Sequence, residues 1–175
     1  MLQETVGKFV ADRYSLDQRK AYMAQSAGHD HAVAGELVDL GLTLVQIPEE
    51  QGGLGGDAFD AMVVGEALGP GLVLEPVMDV MTAVSALSGG RDDILEDGNS
   101  HTLGLYERGQ RYSLNPAITS VEGGKVSGTK TLVPHTAGTT HALVSAKENG
   151  QVGLYRVALS DAAVTVFNYP LQDGR

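Results

Sequence analysis

The chain has 175 residues, a formal net charge of −10 and no cysteine. Its acidic balance excludes nucleic acid as a natural partner, although a local basic or backbone-amide site can still hold a phosphate-bearing ligand. The lack of cysteine excludes disulfides, thiol catalysis and Cys-ligated metals, and with 5% aromatics and no Trp the core must be built mostly from Leu, Val, Ala and Met.

The N-terminus, Met1-Leu2-Gln3-Glu4-Thr5, has no basic stretch ahead of an apolar run and so is not a signal peptide. No run reaches the roughly 20 apolar residues that span a bilayer. The expectation is a cytoplasmic protein with no membrane partner. Leu2, Val6, Phe9 and Val10 recur at helical spacing and predict a first helix. Ser15 and Gln18 have the spacing of a capping box, opening a second helix through about Gln25. Ser26 to Asp30 is a loop by composition. Val33, Leu37, Val38 and Leu40 mark one face of a third helix, with Gly41 as its C′ residue.

Ile47-Pro48-Glu49-Glu50-Gln51-Gly52-Gly53-Leu54-Gly55-Gly56 follows. Proline fixes φ, and glycine permits positive φ or close approach, so this is a shaped loop and not a spacer. Asp57 can cap the next helix, whose buried face is expected to be Phe59, Met62, Val63 and Ala67. Gly69-Pro70-Gly71 stops it. A further helix is expected over Pro76 to Leu87, and a short one at about Arg91 to Glu96.

Near residue 98 the period shifts towards two. Candidate strands are Thr102 to Tyr106, Ala117 to Glu122, Val126 to Pro134, His141 to Lys147, Val152 to Ala158 and Val164 to Tyr169. Glu122-Gly123-Gly124-Lys125 and Glu148-Asn149-Gly150-Gln151 read as hairpin turns. Helices first and strands afterwards predict an α+β chain: a helical domain over residues 1–98 and a partial antiparallel β-barrel over 99–175. Such a barrel would have an open edge, covered by a partner or by the rest of a longer protein.

Several motifs in sequence resemble the acyl-CoA dehydrogenase family. They are Leu40-Gly41-Leu42 followed by Pro48-Glu49-Glu50-Gln51-Gly52-Gly53-Leu54-Gly55, then Gly65-Glu66-Ala67-Leu68-Gly69 and Leu74-Glu75-Pro76. Val126-Ser127-Gly128-Thr129-Lys130-Thr131 looks like a strand of the family's middle β domain, and Tyr169 to Arg175 like a segment of the same domain. At Gln51 the family more often has an aromatic residue or His. The resemblance covers essentially the whole chain and about half of a usual family subunit.

That resemblance implies FAD-dependent α,β-desaturation of an acyl-CoA thioester, in which a glutamate removes the α proton and FAD accepts the β hydride. It implies a homo- or hetero-oligomer of such subunits. The family's base lies in a C-terminal helical bundle, and none of Glu49, Glu50 or Glu66 matches its position, so no catalytic residue is assigned. The cofactor positions carried over are Leu105, Tyr106, Gly109, Arg111, Tyr112, Leu132, Val133 and Pro134. Tyr112, Met78 and Met81 are carried as acyl-binding candidates, with core packing the default for the methionines, Met62 among them. Glu107 and Gly109 keep the family pattern. Tyr106 replaces a threonine, Arg108 a proline, and Tyr112-Ser113 the usual serine and aspartate. Leu132 cannot stack on a flavin, and Pro134 has neither hydroxyl nor N–H. Each lost contact costs on the order of 1 kcal/mol, which counts against FAD binding by this chain alone. The alternative is therefore a flavin-free subunit that pairs with a catalytic dehydrogenase. His29, His31, His135 and His141 read as exposed loop histidines, not as a metal site. Arg108 and Arg111 can reach a phosphate or a partner.

Overall fold

The computed structural model describes residues 1–87, 100–110, 112–134 and 139–169. The chain forms two compact units, one within Met1–Asp93 and one within Ile94–Asn168. The expected boundary near 98 and the short helix at Arg91 to Glu96 lie outside the described residues.

The first unit is helical: α1 (Leu2–Arg13), α2 (Leu16–Met23), α3 (His31–Asp39), α4 (Ala58–Leu68) and α5 (Val77–Leu87). Val6 and Val10, one turn apart, bury α1. The Ser15 capping box forms: Ser15 Oγ accepts from the Gln18 amide, and Gln18 Oε1 accepts from the Ser15 amide at 3.1 Å. On α3, Val33 and Leu37 are buried but Val38 is exposed, because one residue turns it about 100° off the buried line. The larger correction is on α4. Its buried face is Ala61, Val64, Ala67 and Leu68, while Phe59 and Met62 are exposed. That helix is apolar on nearly every side, so hydrophobicity did not choose its phase. The core gathers these faces around Leu37, Leu42, Leu74 and Met81.

The loop after α3 folds back on itself. The amides of Leu54, Gly55 and Gly56 donate to the carbonyls of Leu44, Ile47 and Val45 at 3.1, 2.8 and 2.8 Å. A Cβ on Gly53 would overlap the Ile47 carbonyl and side chain, so only glycine lets the two arms approach. This is the shaped turn that its composition predicts.

The second unit is a five-stranded sheet: β1 (His101–Gly104), β2 (Ser120–Glu122), β3 (Lys125–Ser127), β4 (His141–Glu148) and β5 (Gln151–Ala158). Both predicted hairpins form. β2 pairs β3, and β4 pairs β5 from Glu148↔Gln151 to His141↔Ala158, turning through Asn149 and Gly150 at φ 51° and 82°. The sheet is mixed and not wholly antiparallel, since β1 and β2 both lie parallel to β4. Four expected strands are also shorter or missing, the first ending at Gly104 and not at Tyr106. Residues 117–119 leave the ladder because their amides bond a side chain, described below. Residues 128–134 leave β3 and run elsewhere. Residues 164–169 form no strand.

Candidate functional site

The site is organised by Glu107, a carboxylate only 4% exposed. It follows β1 and is met by three consecutive amides: Ala117 at 2.6 Å, Ile118 at 2.9 Å and Thr119 at 2.9 Å. The Thr119 hydroxyl also donates to it. Lys130 Nζ completes the set at 3.2 Å, forming an ion pair buried on both sides. Burial alone would raise this carboxyl. The bonds from Thr119, Ile118, Ala117 and Lys130 outweigh it and hold Glu107 down at about 2, from an ordinary 4.5. Lys130 further donates to Ser145 Oγ on β4 at 3.0 Å and to the Leu105 carbonyl at 3.4 Å. Ser145 Oγ donates to the same carbonyl at 3.2 Å. One buried ion pair thus fixes three segments.

This clamp lays two distant runs side by side. The Thr131 amide donates to the Tyr106 carbonyl at 2.9 Å, and Thr102 Oγ1 donates to the Pro134 carbonyl at 2.6 Å. The partners ascend in one run as they descend in the other, so residues 102–107 and 130–134 lie antiparallel. Leu105, Tyr106, Leu132, Val133 and Pro134, chosen from sequence, therefore come from one paired segment. Tyr112 is on the loop beyond Gly109 and is 78% exposed. Tyr112 and Leu132 both have left-handed backbones, at φ 64° and 55°. Such conformations cost non-glycine residues of order 1 kcal/mol or more and cluster at working surfaces. Arg111 lies outside the described residues.

The other expected residues are elsewhere. Met81 is 1% exposed, in the helical core. Met78 is exposed, with its Cε over Gly65 of α4. Met62, whose default was the core, is exposed. Glu49, Glu50 and Glu66 are exposed. His29 corrects the expectation of exposed histidines: it is buried, bonds the Ala27 carbonyl at 3.0 Å and meets His31 edge-on. His141 is half-buried and stacks on the buried His101. His135 lies outside the described residues. Among the described residues, no three His, Asp or Glu side chains are grouped to hold a metal. Sequence reasoning missed the amide cradle of Glu107. Its signal was the joint presence of Glu107 and Lys130 in matching motifs.

Of the residues carried over as flavin contacts, Leu132 and Pro134 do not offer what an isoalloxazine ring needs. Leu132 is aliphatic, and Pro134 has no N–H while its carbonyl already accepts from Thr102. The Leu105 and Tyr106 carbonyls and the Thr131 amide are engaged in the clamp and the pairing.

The sequence pattern of the acyl-CoA dehydrogenase N-terminal domain matches residues 1–98. The chain belongs to the acyl-CoA dehydrogenase family. Two of its relatives in the family are proteins called acyl-CoA dehydrogenase IpdE2. The one from Mycolicibacterium smegmatis is 37% identical over 99 residues, 55% of this chain and 32% of the relative. The one from Mycobacterium tuberculosis is 30% identical over 133 residues, 73% of this chain and 42% of the relative. Among solved structures, the ChsE4-ChsE5 complex of Mycobacterium tuberculosis superposes with a TM-score of 0.80 at 22% identity, over 95% of this chain and 48% of that one. A steroid acyl-CoA dehydrogenase variant, Tcur3481-Tcur3483, gives 0.77 at 24% identity, over 91% and 47%. These likenesses show the fold. The chain spans less than half of each of these four proteins. No helix among its described residues is long and apolar enough to cross a membrane.

Proposed function

We propose that this chain acts within a heteromeric acyl-CoA dehydrogenase, as a part whose sheet unit lacks most of the family's flavin contacts. The assembly would carry out FAD-dependent α,β-desaturation of an acyl-CoA thioester, with the missing flavin contacts supplied by the partner. The observation that carries this reading is the contrast within the site. The Glu107–Lys130 clamp keeps the two runs in place, yet Leu132 and Pro134 on those runs lack the groups a flavin needs. Partnership is supported by the structural neighbours, one of which is a two-protein complex of the same fold. A steroid-derived acyl-CoA is the substrate class to assay first, because another neighbour is a steroid acyl-CoA dehydrogenase. Tyr112 and Met78 remain the proposed acyl contacts on this chain.

The test is co-expression with candidate dehydrogenase subunits, followed by measurement of flavin content and acyl-CoA-dependent dye reduction. The expected result is a co-purifying complex that is yellow and active, and a colourless preparation of this chain alone. A complex without flavin would favour the second reading, a flavin-free structural subunit, for which the same Leu132 and Pro134 speak. Tight flavin binding by this chain alone would overturn both.

A further inference from the structure

Away from that site, the helical unit holds a second buried acid. Glu75 lies between the turn at Gly69–Gly71 and α5, and is 6% exposed. Its Oε1 accepts from the Asp30 backbone amide at 3.3 Å. Its Oε2 is sealed from solvent and has no hydrogen-bond partner among the described residues. Asp30 itself caps α3, with Oδ1 accepting from Ala32 and Val33, while Oδ2 accepts from Gln25 Nε2 at 2.5 Å. One carboxyl therefore ties the cap of α3 to the residue before Pro76 and α5.

The charged and titratable groups on the surrounding segments are few. The 24–30 turn and α3 carry His29, Asp30 and His31. Tyr14 follows α1, and its hydroxyl accepts from the Leu74 amide at 3.4 Å. Arg19 of α2 donates to the Leu72 carbonyl at 3.0 Å, and Asp79 is on α5. None of these side chains bonds the Glu75 carboxyl. A carboxylate with one sealed, unmatched oxygen is far costlier than the neutral acid in the same place.

We infer that Glu75 is a protonation latch: as the neutral acid it holds the α3 cap against the start of α5, and its ionisation as pH rises loosens that join. Burial raises this carboxyl above its ordinary 4.5, and the nearby Glu75, Asp30 and Leu74 amides lower it by less. The folded chain then keeps a proton that the unfolded chain has lost. Stability falls as pH rises from about 4.5 through the folded value. His29 acts in the opposite sense. Burial lowers it from 6.5, so its contribution to stability improves as pH rises towards that value. Comparing two proteins that share His29 cancels this term.

The experiment is thermal unfolding of the full chain and of Glu75→Gln across mildly acidic to mildly alkaline pH. The variant keeps the shape and cannot ionise. Its Tm is expected to exceed that of the parent by about 3 °C at the alkaline end, with the gap closing towards the acid end. A gap that does not vary with pH, or a variant less stable throughout, would overturn the latch. If the variant does not fold, infrared spectroscopy of the parent decides. A protonated-carboxyl stretch that persists above pH 4.5, where an ordinary glutamate has ionised, supports the latch, and its absence there sinks it.

Discussion

Glu107 and Glu75 are both buried glutamates, one in each unit, and they are driven in opposite directions. Glu107 receives hydrogen bonds from five donors: three amides, a hydroxyl and an ammonium. It is held at about 2. Glu75 receives one, from the Asp30 amide, and burial pushes it up. The difference teaches that burial alone does not decide the charge of a buried acid. The number of donors aimed at it does. The sheet unit uses its acid as a fixed ion that clamps three segments. The helical unit is left with an acid whose proton can come and go.

The sharpest way to break the comparison is to remove the cation beside Glu107. Lys130→Met leaves a buried carboxylate without its counter-charge and is expected to destabilise the sheet unit by about 3–5 kcal/mol. Urea unfolding followed by far-ultraviolet circular dichroism would measure it, and a loss under about 1 kcal/mol would mean that the amides suffice. Acid titration comes next. The Glu107 contribution is fully present above 4.5 and is lost as pH falls through about 2, so the Glu107→Gln variant should show a flatter acid limb than the parent. Equal acid limbs would show that Glu107 is not held low.

A gentler test asks whether the clamp still presents a usable surface. Leu132→Phe with Pro134→Thr restores an aromatic face, an N–H and a hydroxyl on the paired run. Each restored contact is worth on the order of 1 kcal/mol, so flavin retention in the co-purified complex should rise several-fold. Unchanged retention would place the flavin defect elsewhere. The smallest effect is expected at the exposed face of α4. Met62→Gln should alter stability by no more than about 0.5 kcal/mol, unlike a substitution at the buried Val64.

Much of the fold was legible. Ser15 with Gln18, Asp57 ahead of α4, and the Asn149-Gly150 turn are local chemistry, decided within four residues, and all three form as read. The loop from Ile47 to Gly56 was legible for the same reason: Gly53 and Gly55 answer contacts with Ile47 and Glu49 inside the loop. The phase of α4 was not, because a helix apolar all round leaves the choice of face to its neighbours. Nor were the lengths of β2 and β3. A run of Ala117, Ile118 and Thr119 looks like strand until a carboxylate ten residues earlier takes its amides.

The candidate site divides the same way. The sequence by itself determined the family, and it put an aliphatic Leu132 and a Pro134 with no N–H or hydroxyl where the family resemblance expects flavin contacts, because side-chain chemistry needs no coordinates. Tertiary structure alone decided that residues 102–107 and 130–134 lie against each other. It alone decided that Glu107 is a cradled anion, and that His29 and Glu75 are buried. Charge state and burial depend on what packs around a residue from far along the chain, and no local pattern encodes that.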